Sequence, residues 1–261
     1  MSAVATVFLL LLYLYLNANY DGQYWQQMQQ SKSALTAEYC ELDKSTHFFR
    51  QTMNTYSNLM YFFLGCIVLL IGIHDVKNKT ATPINAIQQF PAITILFGSC
   101  LIYLCMGSSF FHASLSWIGQ RLDMNATYSI CIVLIGISIF RYFEPKRIRP
   151  VYYILLLIVG IIAFIKIHLM ISSFVLLPVL ILVLIGFTTL NYVRNKQHYH
   201  FPTLILSLLF LIGAFVLRTI DLKKIACNPI SIYQGHALWH FFTGISAFLL
   251  YWFYRNEKIE P

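Results

Sequence analysis

Long apolar stretches alternate with short polar connections along most of this chain. Seven stretches approach the roughly 20 residues that an α-helix needs to cross a bilayer. They lie at about 54–74, 91–112, 123–140, 151–168, 170–190, 201–219 and 236–254. The short connections favour antiparallel neighbours within one bundle. The pattern therefore predicts an all-α fold, an integral membrane bundle of seven helices.

An eighth apolar stretch, residues 3–16, precedes the other seven. It is short for a membrane span, and no lysine or arginine stands before it, as one would in a signal peptide. Three interpretations stay open, namely a signal peptide, a membrane anchor and an extra helix. We therefore divide the chain into an amino-terminal hydrophobic segment, 1–20, and a single membrane domain, 21–261.

The composition supports a membrane protein and argues against a nucleic-acid-binding one. Hydrophobic residues make up 58% of the chain and charged residues 11%, whereas a soluble domain carries about 25% charged residues. The net charge is +8, but the basic residues lie in short connections between apolar stretches. That distribution sets orientation in a membrane and does not form a nucleic-acid-binding patch.

The distribution of lysine and arginine predicts the orientation of the bundle. If residues 17–53 are outside, eight basic residues are spread over the longer outer segments, and ten lie in the inner connections and tail. These ten are Lys77, Lys79, Arg141, Lys146, Arg147, Arg149, Arg194, Lys196, Arg255 and Lys258. The excess predicts that residues 17–53 lie outside and the carboxyl terminus inside.

Four ionisable residues stand at the ends of apolar stretches: His112, Asp123, His236 and His240. Such residues are costly at membrane depth and are therefore candidates for a functional site. His236 and His240 are four residues apart and share one helix face. Because successive spans alternate in direction, all four residues fall at the outer ends of their helices. Three neutral imidazoles with an open fourth position would form a zinc site that activates water.

Simpler interpretations exist for each of these side chains. A histidine near a helix end is more often an interfacial or core residue than a metal ligand, and Asp123 alone could cap a helix. The remaining histidines lie in or beside connections, where we expect them at the surface; they are His47, His74, His168, His198 and His200. No Cys-x-x-Cys occurs, so a thiolate zinc site is unsupported.

Three blocks of sequence resemble the alkaline ceramidase family. This family belongs to a wider group of seven-helix membrane hydrolases that includes the adiponectin and progestin receptors and a GPI-lipid remodelling branch. The blocks are YCELDKSTHFFRQTMNTYSNL at 39–59, GSSFFHASLSWIGQRLD at 107–123 and HALWHFFTG at 236–244. Their order and their placement on the predicted helices match the family.

The resemblance implies a ligand set and a reaction. His112, His236 and His240 would bind zinc, and Asp123 and Ser108 would contact the attacking water and the substrate carbonyl. We expect Ser108 to stabilise the oxyanion rather than act as a nucleophile, because no Gly-x-Ser-x-Gly turn surrounds it. The implied reaction cleaves the N-acyl bond of a ceramide-like sphingolipid to a fatty acid and a sphingoid base.

Two other functions are compatible with the predicted site. One alternative is a seven-helix receptor or sensor that keeps zinc as a structural part, and the other is a zinc hydrolase of a different acyl lipid.

We expect a multi-pass protein of a bacterial inner membrane or a eukaryotic ER or Golgi membrane. The site would face the extracytoplasmic side and meet a membrane lipid; no protein partner is implied.

Family members of known structure also carry a calcium site in their amino-terminal segment. Here Glu41 matches one of its carboxylates, Glu38 can align with an aspartate, and Asp43 stands where an asparagine is usual. Gln51 stands where the family has a glutamate, and losing that carboxylate weakens a hard-cation site. Calcium binding by Glu38, Glu41 and Asp43 therefore stays open.

Two cysteines, Cys40 and Cys227, fall in connections on the predicted outer side. Extracytoplasmic compartments permit disulfide bonds. We predict that the two residues pair and tie the amino-terminal segment to the connection before the last helix.

Overall fold

The structure, a computed structural model, describes residues 1–78, 85–143, 150–194 and 199–257. These residues form helices and irregular connections and contain no β-strand beyond two isolated bridges. The long helices are α1 (Ser2–Asn19), α4 (Leu59–Lys77), α6 (Pro91–Ser114), α7 (Trp117–Phe143), α8 (Pro150–Met170), α9 (Ser173–Arg194), α10 (Phe201–Leu222) and α11 (Gly235–Arg255). Short elements are a 3-10 turn (Gly22–Trp25), α2 (Lys32–Leu35), α3 (Thr52–Ser57) and α5 (Ala86–Gln89).

The predicted all-α membrane bundle is confirmed, but the seven helices that could cross a membrane differ from the seven predicted spans by one helix. Within the described ranges, seven helices are long and apolar enough to cross a membrane, counting α3 and α4 as one. That set includes α1 and leaves out α11. Helix α11 has 21 residues, but one of its faces carries His236, His240, Gly244 and Ser246 into the interior. A helix whose buried face is polar is less apolar on average than one that faces lipid.

Helix α6 lies at the centre of the bundle, between α4 and α7. Helix α11 packs against α10 and also against α3, α4 and α7, while α8 and α9 pack on α7. The rings of Phe97 and Tyr251 stack in the core at a centroid distance of 5.3 Å. In contrast, Leu156, Leu182 and Ile212 on the outer helices are 60–68% exposed. Apolar side chains on this outer surface are suited to contact with lipid.

The amino-terminal helix α1 is docked onto the rest of the chain. Its buried Tyr13 ring lies 5.3 Å from Phe49 and 6.2 Å from Tyr56, measured between centroids. Asn17 Oδ1 accepts a hydrogen bond from the Phe49 backbone N–H at 3.1 Å. The apolar stretch at 3–16 is thus helical in the structure, and the division into 1–20 and 21–261 remains a prediction.

The segment between α1 and α3 covers one end of the bundle. Trp25 Nε1 donates to Phe48 O at 2.7 Å, and Ser31 N donates to Leu115 O at 2.9 Å in the turn between α6 and α7. The structure joins Cys40 to Cys227 by a disulfide, with their Cα atoms 5.7 Å apart. The segment is therefore fixed both to α6 and to the connection before α11.

The orientation of the bundle in a membrane stays a prediction. Most of the inner basic residues on which it depends lie outside the described residues; these are Lys79, Lys146, Arg147, Arg149, Lys196 and Lys258.

Candidate metal centre

Three histidine side chains converge beneath the amino-terminal segment. His112 lies at the end of α6, and His236 and His240 lie in the first turns of α11. One ring nitrogen from each lies within 4.8 Å of the other two. All three residues are at most 4% exposed. Among the described residues this is the one cluster of histidine, cysteine and acidic side chains close enough to share a metal ion.

The end of α10 fixes the start of α11 and so the position of His236. The buried Asp221 accepts a hydrogen bond from the His236 backbone N–H on Oδ1 and from the Cys40 N–H on Oδ2, both at 3.1 Å. A carboxylate is favourable at a helix N-terminus, where backbone N–H groups lack partners. Gly235 permits this approach, because a β-carbon there would lie 2.9 Å from both Asp221 Cβ and Leu217 O.

The His112 ring is oriented by Gln51. Gln51 Oε1 lies 2.7 Å from His112 Nδ1. Because an amide oxygen can only accept, Nδ1 carries the proton and donates it. The Nε2 atom of His112 then keeps its lone pair, and this buried atom has no hydrogen-bond partner within the described chain. A ring nitrogen held by such a partner is typical of a histidine metal ligand.

The His240 ring is oriented in the same way by Ser57 of α3. Ser57 Oγ donates to Asn54 O at 2.9 Å and lies 2.7 Å from His240 Nδ1. Since the hydroxyl proton is used on Asn54, Nδ1 of His240 is the donor. Its Nε2 is therefore the nitrogen available to a metal. Both ring nitrogens of His236 are buried without a hydrogen-bond partner in the described residues.

Asp123 and Ser108 lie beside the three histidines on neighbouring helices. Both line a cavity with His236 and His240 that has about 640 Å³ of open space including its mouth. Gly107 lets α7 approach α6 here, since a β-carbon would lie 3.1 Å from Leu122 O. The buried Ser108 hydroxyl interacts with the Asp123 carboxylate, although it makes no well-formed hydrogen bond with the described residues. Asp123 is thus beside the three histidines without belonging to the cluster that could share a metal ion.

Asp123 does not cap its helix, although an aspartate opening a helix could. Helix α7 begins at Trp117, ahead of the predicted start at 123. Ser116 Oγ accepts a hydrogen bond from Gly119 N at 3.1 Å and so provides the cap. Asp123 therefore lies in the second turn of α7, with its side chain in the cavity.

A second, apolar cavity adjoins the first. It has about 970 Å³ of open space and is lined by α4, α6, α7, α9, α10 and α11. Five side chains line both cavities: Tyr61, Leu104, Thr127, Leu177 and Trp239. Along α11 it extends from Trp239 to Leu250, which is roughly 16 Å at 1.5 Å per residue. The space suits an extended hydrocarbon chain.

Sequence reasoning missed two side chains in the cavity wall, Tyr39 and Arg218. The Tyr39 ring lies against His236 at a centroid distance of 4.0 Å. Burial, reinforced by the charges of Glu38 and Asp123, raises the pKa of the Tyr39 hydroxyl well above its usual value, so it stays protonated. Arg218 stacks over Phe174 and Trp239, 5.5 Å from each ring centroid. Arg218 could have been found from the sequence, because, like Asp123, it is a charged residue at the end of an apolar stretch.

The carboxylates considered for calcium are not brought together. Both Glu41 oxygens accept backbone N–H groups at the start of α3, from Met53 at 2.7 Å and Asn54 at 2.8 Å. Burial raises the pKa of the Glu41 carboxyl, and these two hydrogen bonds oppose the rise. Asp43 pairs with Arg50. Within the described residues, Glu38, Glu41 and Asp43 form no metal-sized cluster.

The other histidines follow the expected surface placement with one exception. His47, His74 and His200 are exposed, as predicted, and His198 lies outside the described residues. The prediction for His168 was wrong, because this side chain is 5% exposed. His168 Nδ1 lies 2.6 Å from Phe164 O, one helical turn earlier, and the ring packs against Tyr128.

Comparison with known proteins identifies the family. The family model described as Ceramidase matches residues 30–258, which covers most of the chain. The chain belongs to the ceramidase family. Its members hydrolyse the amide bond of ceramide, so this chain is a membrane-embedded hydrolase with a lipid substrate. No curated protein matches the chain.

Proposed function

We propose that the protein is a zinc-dependent amidohydrolase that cleaves the N-acyl bond of ceramide-like sphingolipids. The observation that carries the proposal is the convergence of three buried imidazoles at a cavity that Asp123 and Ser108 line and that adjoins an apolar chamber. The donor set fits zinc, because three neutral imidazoles are the ligands of many catalytic zinc sites, and those of His112 and His236 have buried nitrogens without a hydrogen-bond partner among the described residues. His112, His236 and His240 would hold the ion.

A zinc ion at this site supplies a Lewis acid for the amide carbonyl and lowers the pKa of a bound water to about 7. The protein contributes the orientation of the ligands. Gln51 and Ser57 each accept the Nδ1 proton of a histidine and so direct Nε2 toward the shared gap. No rotation of His112 or His240 is then needed when the ion binds, which lowers the cost of assembling the site.

Asp123 is suited to move the proton. It is the one carboxylate among the described residues that line the cavity. Asp123 takes a proton from the attacking water as the new carbon–oxygen bond forms at the acyl carbon. It returns that proton to the amide nitrogen as the carbon–nitrogen bond breaks. The products are a carboxylic acid and a free amine.

Ser108 is suited to stabilise the developing charge on the carbonyl oxygen. Its hydroxyl is buried and makes no well-formed hydrogen bond in the described part of the protein. Such a donor is available to the oxyanion.

The apolar chamber supports a long-chain substrate. It is lined mostly by leucine, isoleucine and other apolar side chains between Trp239 and Leu250 of α11. One hydrocarbon chain lies in the chamber while the amide meets Asp123 and Ser108. The polar end of the substrate then faces the amino-terminal segment, which we place on the extracytoplasmic side of a bacterial inner membrane or an ER or Golgi membrane.

Metal analysis of purified protein, combined with His236→Ala, tests the proposal. We expect about one zinc per chain in the wild type, loss of zinc in His236→Ala, and fatty-acid release from ceramide by the wild type but not by His236→Ala. His47→Ala is the matched control, because His47 is exposed and lies outside the cluster.

The outcomes separate this function from its alternatives. Zinc without any lipid hydrolysis would favour a receptor that keeps the metal as a structural part. Fatty-acid release from phospholipids but not from ceramide would favour a hydrolase of another acyl lipid. A protein that binds no zinc and hydrolyses ceramide normally would refute the role of the histidines.

A further inference from the structure

Two protein cations hold the amino-terminal segment at the place where sequence resemblance suggested calcium. The Arg50 guanidinium pairs with both oxygens of Asp43, with Nε to Oδ1 at 2.7 Å. It also donates to Ser114 O at 3.2 Å, at the end of α6. The Arg50 side chain is 9% exposed. Arg50 thus links the segment to the helix end that carries His112.

The second cation is Lys224, in the connection after α10. Its ammonium donates to Ala37 O at 2.8 Å and to Tyr39 O. Backbone carbonyls and carboxylates are the oxygen ligands that calcium uses. Here the Asp43 carboxylate pairs with Arg50, and the two carbonyls accept hydrogen bonds from Lys224, so both kinds of ligand already bind cations of the chain itself.

Gln51 follows Arg50 directly and contacts the metal centre. Its backbone N–H donates to His112 O at 3.0 Å, and its Oε1 accepts from His112 Nδ1 at 2.7 Å. Asn54 Nδ2 donates to the same Oε1 at 3.3 Å and steadies it. Gln51 is 4% exposed, so no water can take over the role of this acceptor easily. The position where the family has a glutamate is used here to orient a histidine.

We propose that Arg50 and Lys224 replace calcium in holding this segment and thereby place Gln51 as the positioning residue of His112. A fixed guanidinium and ammonium keep the segment in place at any calcium concentration. The neutral amide of Gln51 then orients His112 without adding negative charge beside the metal. This inference relies on the proposed zinc centre only where it concerns Gln51.

Calcium titration tests the claim that Arg50 and Lys224 take the place of calcium in holding the segment. The thermal unfolding midpoint of detergent-purified protein is measured in calcium-free buffer and in millimolar calcium chloride. A calcium ion at 100 times its dissociation constant would raise the midpoint by about 5–10 °C. We expect no shift, and a rise of that size would overturn the inference. This measurement needs neither hydrolysis nor an intact zinc site.

Removal of the guanidinium tests the Arg50 clamp, that is, the contacts of Arg50 with Asp43 and with Ser114 O. Arg50→Gln leaves Asp43 unpaired and should lower the midpoint by about 4 °C or more. Lys32→Gln removes the same charge from an exposed position of the segment and should shift the midpoint by less than about 2 °C. If Arg50→Gln does not fold, Asp43→Asn examines the same pair from its more exposed side. If the variant tested, Arg50→Gln or Asp43→Asn, has the same unfolding midpoint as the Lys32→Gln control, the clamp is refuted.

Zinc affinity tests the role of Gln51. Competition with a chromophoric chelator should show zinc binding weakened about 10–100-fold in Gln51→Leu, as for other partners of metal-bound histidines. Gln51→Glu keeps an acceptor for Nδ1 and should stay within a few-fold of wild type. Equal losses in both variants would indicate packing alone, and no loss in either would remove the role. A wild type that binds no zinc would refute the proposed function, while the calcium result would still decide the clamp.

Discussion

Asp221 should be the most sensitive single residue for the stability of the site. It is 3% exposed, and each of its carboxylate oxygens accepts one backbone N–H, from His236 and from Cys40. It therefore joins the first turn of α11, the end of α10 and the amino-terminal segment. Asp221→Ala removes both acceptors and leaves two buried N–H groups without a partner.

The magnitude follows from the two hydrogen bonds. A hydrogen bond to a charged group contributes about 1.5–3 kcal/mol, so losing two should lower the free energy of unfolding by about 3–6 kcal/mol. At about 2–4 °C per kcal/mol for a chain of this size, the unfolding midpoint should fall by roughly 6 °C or more. Asp221→Asn keeps one acceptor oxygen and should lose about half as much.

Circular dichroism of the helices during heating, with the disulfide kept oxidised, measures this change. The rise in midpoint on adding zinc should also shrink in Asp221→Ala, because His236 loses its backbone anchor. Asp21→Ala is the control, since Asp21 caps only an exposed 3-10 turn through Gln23 N. If Asp221→Ala melted within about 2 °C of wild type, as ordinary surface variants do, the reasoning would be wrong.

Three further predictions concern the disulfide, the chemistry and the chamber. Replacing Cys40 and Cys227 by serine should lower the free energy of unfolding by about 2–5 kcal/mol, and mass mapping that finds both thiols free in the wild type would contradict the pairing. Asp123→Asn should lower kcat about 10²–10⁴-fold and Ser108→Ala about 10²–10³-fold, each with zinc content unchanged; loss of zinc in either would give that residue a different role. Ala247→Phe narrows the apolar chamber and should reduce fatty-acid release from long-chain ceramides more than from short-chain ones; an equal reduction for both would argue that the chain lies elsewhere.

The helices of this protein follow from the sequence because a membrane span is a local property. About 20 consecutive apolar residues must satisfy their backbone internally, so each apolar stretch had to be a helix. Even 3–16, with three open interpretations, lies within the helix Ser2–Asn19. Helix α11 is the exception by composition, because the histidines that suggest a site also make that helix less apolar than a lipid-facing span.

Part of the candidate site was also predictable. Alternating helix direction places His112, His236 and His240 at one end of the bundle, and the spacing of four residues places the last two on one face. The cysteine pairing followed from the same topology, and the structure joins the same two residues. These inferences needed only the number of spans and the helical period.

Only the tertiary structure decided which partners complete the site. Gln51 and His112 are 61 residues apart in the chain, and Ser57 and His240 are 183 apart. Asp221 reaches Cys40 across 181 residues. A sequence pattern fixes the helix and the face on which a side chain lies, since both depend on neighbouring residues. Contacts between distant segments depend on how helices pack and how the amino-terminal segment is laid across them, and no local pattern encodes that.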